Sequence, residues 1–284
     1  MTMTLREAIS EASARLAVNP EIRANAARDA ELLLLETIGR SRTVIFTDPM
    51  LALSGDEEAR FRAAIERRLT NEPIQHITGF QEFYGLRLRV NSAVLIPRPE
   101  TELLVEAILE RVSAEGSLRL LDVGTGSGAL ALALAANLPH AVVIAVDLSP
   151  AALAVARENA AELGLRERIR FVESDLLEGL AETQAFDVIV SNPPYIPEGD
   201  RGGLHAEVRE FEPESALFAG EDGLAVYRRL IPQAWAALRP GGLLGLEFGY
   251  GQREALAELL VGWDEVRFLD DLQGIARVAL ARKA

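Results

Sequence analysis

Apolar residues recur every three to four positions early in this chain and every second position later, and that change of period divides it. Leu5, Ile9, Ala12 and Leu16 share one face of a helix. A second helix is predicted over 20–38, with Pro20 suited to its first turn and Gly39 to its stop. The four leucines at 32–35 imply that this helix is buried on several sides. Ser54 and Glu57 have the spacing of a capping box, and Phe61, Ile65 and Leu69 continue that third helix as a buried stripe. Residues 1–72 therefore read as a helical N-terminal domain. Such a bundle either only stabilises the protein or docks a partner, and docking is the expectation carried forward.

Residues 73–99 change character. Leu86, Leu88 and Val90 alternate with Arg87 and Arg89, the period of a half-exposed strand. Asn91-Ser92 is a turn signal and Val94-Leu95-Ile96 a candidate return strand, so the segment reads as a hairpin linker. A helix follows Pro97-Arg98-Pro99. From there to residue 284 apolar runs of strand length alternate with helical periods. Strands are predicted at 118–123, 142–147, 169–173, 186–191 and 243–248, with helices at 127–137, 150–163, 223–238 and 252–261. Stretches 266–269 and 275–281 close the chain as an antiparallel pair. Alternation of this kind implies a mostly parallel sheet covered by helices.

Composition narrows the chemistry. A formal charge of −14 disfavours non-specific binding to nucleic acid or anionic membrane, which needs a basic footprint. The absence of cysteine excludes disulfides, a thiol nucleophile and thiolate metal sites, and suits a reducing compartment. Three scattered histidines, His76, His140 and His205, argue against a histidine metal site. Lys283 is the only lysine among 29 basic residues. The helical segment carries 10 arginines against 12 acids, so most of the acidity lies elsewhere. The N-terminus lacks an apolar signal core, and no stretch approaches the ~20 apolar residues a membrane span requires. A soluble, cytoplasmic protein is expected.

Asp122-Val123-Gly124-Thr125-Gly126-Ser127-Gly128 lies between a strand and a helix. Glycines there permit a tight turn and close approach of a ligand to the backbone. Asp147, at the end of the next strand, can accept both hydroxyls of a ribose through charge-assisted hydrogen bonds worth roughly 1.5–3 kcal/mol each. Its structural alternative is a helix N-cap, although Ser149 before Pro150 suits that task better. After the third strand, Asp175 can accept from an adenine amino group and Leu176 can pack on the ring, or Asp175 is simply a turn residue. Two cofactors fit this much: a dinucleotide, through Gly124-x-Gly126-x-x-Ala129 with Asp147, or S-adenosylmethionine, through the same loop and acid.

Asn192-Pro193-Pro194-Tyr195 favours the methyl donor. It follows the apolar run 186–191, at a strand's carboxyl end, where open α/β sheets bind ligands. Each proline fixes its own φ, holds the preceding residue extended and lacks an N–H, so the corner is stiff and rich in acceptors. Such a corner can grip a planar –NH2 group through the Asn192 side-chain oxygen and the Pro193 carbonyl, with Tyr195 walling the slot. The nitrogen would be a nucleobase amino group or a side-chain amide. Its delocalised lone pair makes it a poor nucleophile, and these contacts should strengthen as it gains positive charge.

Together, this corner with Ile196, the 122–128 loop and Leu95-Ile96-Pro97-Arg98-Pro99-Glu100-Thr101-Glu102 resemble the HemK/PrmC family. The stretch 207–217 and Asp222-Gly223-Leu224 are similar to it too, and the resemblance covers nearly the whole chain. It implies a class I S-adenosylmethionine-dependent methyltransferase fold, with a Rossmann-like seven-stranded sheet behind a small helical domain and a hairpin linker. It implies protein-(glutamine-N5) methylation of the Gly-Gly-Gln loop of class 1 peptide chain release factors, yielding S-adenosylhomocysteine. It carries Gly124, Thr125, Gly126, Ser127, Gly128, Asp147 and Asn192 over as donor contacts, and Asn192, Pro193, Pro194 and Tyr195 as the catalytic substrate grip. Leu176 departs from relatives that have an aromatic residue there. A monomer without direct nucleic-acid contact is expected. A ribosomal-protein glutamine methyltransferase would share every motif, whereas a nucleic-acid amino-methyltransferase, a nucleotide-dependent oxidoreductase and a binding protein without catalysis fit less well. The long connection 197–222, with Gly199, Gly202 and Gly203, reads either as a lid or as a tethered, partly helical loop, and the lid is slightly favoured.

Overall fold

The computed structural model describes residues 3–180 and 185–284, so the first two residues of the stretch read for a leader lie outside it. Two compact units are present. One runs up to Gly79 and includes Leu204–Phe211; the other comprises Phe80–Gly203 and Glu212–Ala284.

The first unit is helical: α1 (Leu5–Leu16), α2 (Ala26–Ile38), α3 (Thr43–Thr47), α4 (Gly55–Leu69) and α5 (Ile74–Thr78). Leu5, Leu16, Leu33, Leu34, Phe61 and Ile65 form its core. The expected capping box at Ser54 and Glu57 forms, and Thr4 and Glu7 form another at the head of α1. The second helix starts later than Pro20. Asn19 diverts the chain by accepting Ile22 and Arg23 N–H on its carbonyl and Glu21 N–H on its side chain. Gly39 does end α2, in the left-handed region. The leucine run is less buried than expected, since Leu32 is exposed while Leu33 and Leu34 are covered. The unit extends past residue 72 because α5 adds Ile74 and Ile77 to the same core.

Buried Arg68 ties the unit together. Its Nε donates to Asp29 Oδ2 at 2.7 Å, its Nη1 to the Glu72 carbonyl at 2.9 Å, and its Nη2 pairs with Glu207. Burial raises the Asp29 pKa while the Arg68 partnership opposes that rise.

In the second unit, β1 (Phe80–Phe83) and β2 (Leu86–Arg89) form an antiparallel hairpin. This corrects the expected pairing of 86–90 with 94–96. The turn is Tyr84-Gly85, both at positive φ, and the Tyr84 N–H donates to Glu102 Oε1 at 2.7 Å. Tyrosine is not a usual turn residue, so the hairpin signal was hidden. Val94 is apolar because it packs with Val90, Ala152 and Val155, not because it is a strand.

Next come α6 (Pro99–Leu109), β3 (Arg119–Val123), α7 (Ala129–Asn137), β4 (Val142–Asp147), α8 (Pro150–Glu162), β5 (Ile169–Glu173) and β6 (Phe186–Ser191), then α9 (Ala206–Phe211), which belongs to the first unit, and, again in the second, α10 (Ala225–Ala237), β7 (Leu238–Glu247), α11 (Arg253–Leu259), β8 (Asp264–Asp270) and β9 (Ala276–Arg282). All the sheet strands match expected segments within a few residues, except that β7 starts earlier. Pro240-Gly241-Gly242 lies within it, where the register against β6 slips between Phe186 and Val188, instead of forming a turn.

The strands are ordered β5-β4-β3-β6-β7-β9-β8. The first five are parallel and β9 runs antiparallel to both β7 and β8. Alternate residues face opposite layers: Leu120, Val143 and Val188 meet α6 and α7, while Leu121, Ile144 and Ile189 meet α10 and α11. Chain order reverses between β3 and β6, and the carboxyl ends there open a crevice for a ligand.

Candidate active site

Parallel register lines up the predicted site. Val123 pairs with both Val146 and Ser191, and Asp147 pairs with Glu173. The glycine loop, Asp147, the Ser174–Leu176 turn and the Asn192 corner thus leave adjacent strand ends. They surround a cavity of about 340 Å³, large enough for a nucleoside-sized ligand.

The glycine loop bends over β4, with Gly124 and Thr125 N–H both donating to the Val146 carbonyl at 2.9 Å. Gly124 and Gly126 have positive φ, and a Cβ at either would meet open space. Their faces therefore leave room for close approach of a ligand. Gly128 differs. A Cβ there would sit 3.0 Å from Leu132 Cδ1, and Gly128 is not among the residues lining the cavity. The space beside it is taken up by Leu132 and Ala156. Ser127 does line the cavity, and its carbonyl is anchored by Asn159 Nδ2 at 2.8 Å.

Asp147 reaches the cavity wall with both oxygens engaged. Gly126 N–H donates to Oδ2 at 2.8 Å and Ser149 N–H to Oδ1 at 2.9 Å. Ser149 caps α8, as expected. Each carboxylate oxygen has a second lone pair, so capacity for ribose hydroxyls remains. Burial raises its pKa, against the pull of the N–H groups of Ser149, Gly126 and Leu148.

Asp122 heads the loop and was assigned no role from sequence. It is buried, with Oδ2 accepting from Thr125 Oγ1 at 2.6 Å and Ala131 N–H at 3.1 Å. Its Oδ1 is buried without a partner, and Asp122 lines the cavity. Burial drives its pKa up to about 7, the Thr125 and Ala131 hydrogen bonds oppose this, and the nearby Asp147 charge adds to it.

Asp175 and Leu176 also line the cavity. Asp175 pairs with Arg229 Nη2 at 2.8 Å, so an adenine amino group would share that carboxylate. Leu176 sits at φ 50°, a conformation uncommon outside glycine. Ser174 steadies it by donating from Oγ to the Leu176 carbonyl at 2.8 Å.

At the corner, Asn192 and Pro194 line the cavity, whereas Pro193 and Tyr195 do not. The Asn192 Nδ2 donates to Thr101 Oγ1 at 3.0 Å, and its Oδ1 is buried without a partner. Tyr195 instead directs its hydroxyl at Glu247 Oε1, 3.5 Å away. Burial pushes its pKa up, with the Glu247 charge second. Gln252 braces the corner, donating from Nε2 to the Tyr195 carbonyl at 2.9 Å and accepting Gly249 N–H on Oε1 at 3.0 Å.

Sequence reasoning missed Thr101, Glu247 and Gln252 as supports of this corner. Thr101 stood inside a quoted motif, but nothing local marks its partner 91 residues away. The connection after the corner is folded, with 3₁₀ turns at Glu198–Gly203 and Glu214–Ala216 flanking α9. Ile196 N–H donates to the Leu217 carbonyl and Ala219 N–H to the Ile196 carbonyl, which ties its two ends together. The connection is therefore tethered at its ends and partly helical.

Comparison with known proteins points the same way. The methyltransferase small domain matches residues 99–206 and the PrmC N-terminal domain matches residues 7–79. A release factor glutamine methyltransferase of Koribacter versatilis is 44% identical, covering 99% of both chains. The enzymes of that name from Deinococcus radiodurans and Escherichia coli K12 are 46% and 43% identical, covering 99% and 98% of this chain and 99% and 97% of theirs. Among solved structures, the Thermus thermophilus 16S rRNA N2 G1207 methyltransferase, in complex with AdoMet and guanosine, superposes with a TM-score of 0.55 at 25% identity, over 72% of this chain and 50% of that one. The human Mettl16 catalytic domain, at 18% identity and a TM-score of 0.57, over 80% and 82% of the two chains, shares the fold.

Proposed function

The chain belongs to the release factor glutamine methyltransferase family, and on that footing we propose that it methylates N5 of the glutamine in the Gly-Gly-Gln loop of class 1 release factors. It is an S-adenosylmethionine-dependent enzyme, and its substrate is a release factor. The observation that carries the finer reading is the carboxamide of Asn192, a cavity-lining residue, which has its nitrogen tied to Thr101 and its oxygen buried without a partner. A buried acceptor without a donor is costly, so it marks where a ligand N–H belongs.

The cavity fits the cofactor: open faces at Gly124 and Gly126, the Asp147 carboxylate and a predominantly apolar lining suit an adenosyl group with a cationic amino acid tail. Thr125, Gly126 and Ser127 would flank the tail, Asp147 would accept the ribose hydroxyls, and Asp175 and Leu176 would meet the base. When bound, the donor supplies an electrophilic methyl carbon. The chain's own residues then do the positioning. Asn192 Oδ1 accepts one N–H of the substrate amide and the Pro193 carbonyl, which stands outside the cavity lining, accepts the other from the substrate's side, which aims the nitrogen lone pair toward the cavity. Both acceptors gain strength as that nitrogen becomes positive, so they favour the transition state over the ground state. The released proton passes to water.

The −14 charge supports a protein substrate over nucleic acid. No helix among the described residues is long and apolar enough to cross a membrane. Action in the cytoplasm as a monomer, with residues 1–72 docking the release factor, completes the reading. Labelled S-adenosylmethionine offered with release factor, ribosomal protein or RNA tests it. Label on the Gly-Gly-Gln glutamine is the expected result, and label only in ribosomal protein or only in RNA would overturn it.

A further inference from the structure

Gln252, the residue that heads α11, does not line the cavity and touches neither donor nor substrate in the chemistry above. It is buried, and its side-chain amide meets three segments of the chain. Nε2 donates to the Tyr195 carbonyl at 2.9 Å and reaches the carbonyls of Asp222 and Gly223 at 3.4 Å each. Oε1 accepts the Gly249 N–H at 3.0 Å. A buried amide satisfied at both ends rigidifies what it joins.

We propose, on the role given to Asn192 above, that Gln252 is a positioning residue for methyl transfer. Its carboxamide fixes the far side of the Asn192–Tyr195 corner, and through that corner the acceptors that grip the substrate amide.

A proline has no N–H, so neither Pro193 nor Pro194 can be tied down through a backbone donor. The corner is held from its two ends instead. Before the prolines, Ser191 Oγ donates to the Val123 carbonyl at 2.7 Å and Asn192 Nδ2 donates to Thr101 Oγ1 at 3.0 Å. After them, the Tyr195 carbonyl accepts from Gln252, and Ile196 N–H donates to the Leu217 carbonyl at 2.9 Å. The rings fix φ at both prolines, so few torsions are left between the two ends to absorb a shift. Movement at Tyr195 therefore passes back to the Pro193 carbonyl and to Asn192.

The orientation of the Gln252 amide is imposed by its partners. Carbonyl oxygens surround one end and an N–H stands at the other, so reversing the amide would set acceptor against acceptor and donor against donor. Two glycines make room for it. A Cβ at Gly223 would lie 2.6 Å from Gln252 Nε2, and a Cβ at Gly249 would lie 3.0 Å from Oε1 and 2.9 Å from Tyr195 Cδ2. The glycine of Asp222-Gly223-Leu224 thus serves the corner, a task that its own stretch of sequence does not reveal. A glutamic acid at 252 would have the same shape with a different rule. Ionised, it only accepts, and it would face the three carbonyls without a donor. Protonated, it offers one O–H to the Tyr195 carbonyl and one acceptor to the Gly249 N–H, as glutamine does. Burial and the carbonyls both favour the protonated form.

The test is kcat, release-factor KM, donor Kd and melting temperature for the wild-type chain, Gln252→Met, Gln252→Glu and Asn192→Ala. Gln252→Met keeps the volume and removes the donor. It should lower kcat by about 10²-fold, the scale of a misplaced reacting group. Donor Kd should stay within about twofold, because Gln252 does not line the cavity, and KM within about threefold, because the loss falls on the transition state. For Gln252→Glu, kcat relative to wild type should be lowest at about pH 8 and climb toward the wild-type value by about pH 6. The charged and titratable neighbours, Asp222 with Arg228, Tyr195 with Glu247, Arg277 with Asp271, and Arg253, are common to both chains, so the ratio removes their titration. A Gln252→Met kcat within about threefold of wild type, or a loss confined to KM or to melting temperature, would overturn the proposal. So would a Gln252→Glu ratio that does not change with pH, which decides the matter alone if Gln252→Met does not fold. Should Asn192→Ala keep normal turnover, the reading of the corner itself fails. Should Asn192→Ala lose turnover while Gln252→Met does not, only this inference fails.

Discussion

Gly223 lies outside the glycine loop, yet an alanine there should disable catalysis. Its φ is 73°, and a Cβ would fall 2.2 Å from the Tyr195 carbonyl oxygen and 2.6 Å from Gln252 Nε2. To reach even 3.0 Å, the carbonyl must retreat by about 0.8 Å, and it is backbone, not the tip of a flexible side chain. The same motion strains the 2.9 Å hydrogen bond from Gln252 that braces the corner. Alanine in the left-handed region adds roughly 1–2 kcal/mol of conformational cost. A displacement near 1 Å at a positioning element can lower rate by about 10²-fold. The Gly223→Ala protein should therefore fold with a lowered melting temperature, bind donor with nearly unchanged affinity, and turn over about 10²-fold more slowly. Single-turnover methylation of release factor, with calorimetric titration of donor, separates these quantities. A folded variant within about threefold of the wild-type rate would show that the corner tolerates movement and that stiffness is not its purpose.

Three further outcomes are expected. Asp147→Ala should weaken donor binding by about 10²- to 10⁴-fold, from losing two charge-assisted hydrogen bonds worth roughly 1.5–3 kcal/mol each; an unchanged Kd would refute the ribose assignment. Arg68→Ala should destabilise the helical unit by about 3–5 kcal/mol in denaturant titration, because it strands buried Asp29 beside Glu207; a loss under 1 kcal/mol would mean water reaches that site. Asp122 binds its proton more tightly folded than unfolded, so between about pH 4 and pH 7 the folded state keeps protons the unfolded chain has released, and stability falls as pH rises. Asp122→Asn should flatten that decline, measured by melting across the window; a decline of unchanged slope would show that Asp122 is not the group responsible.

Parts of the site that lie within one loop were legible in the sequence. The glycine turn, Asp147 and the Asn-Pro-Pro-Tyr corner each combine a strand end with residue types whose backbone or acceptor properties are distinctive. The parallel strands were legible for the same reason: each is a short apolar run between breakers. What escaped was set by partners far along the chain. Tyr84 occupies a hairpin turn because Glu102 accepts its N–H, and no rule of turn composition reveals that. Val94 and Ile96 look like a strand because burial and strand pairing demand the same residues. Pro240 and the two glycines after it look like a turn, yet β7 carries them where its register slips.

Residues that one motif groups together are placed differently about the cavity. Gly124, Gly126 and Gly128 satisfy one pattern, but the loop turns between them, so two face the cavity and the third packs against Leu132 and Ala156. Asn192 and Tyr195 belong to one tetrapeptide, yet extended backbone sends neighbouring side chains to opposite sides. One reaches the cavity and the other reaches back to Glu247. A motif therefore identifies backbone geometry more reliably than side-chain duty. Duty is decided by what stands behind each residue, and at this corner Thr101 stands behind Asn192 and Glu247 behind Tyr195.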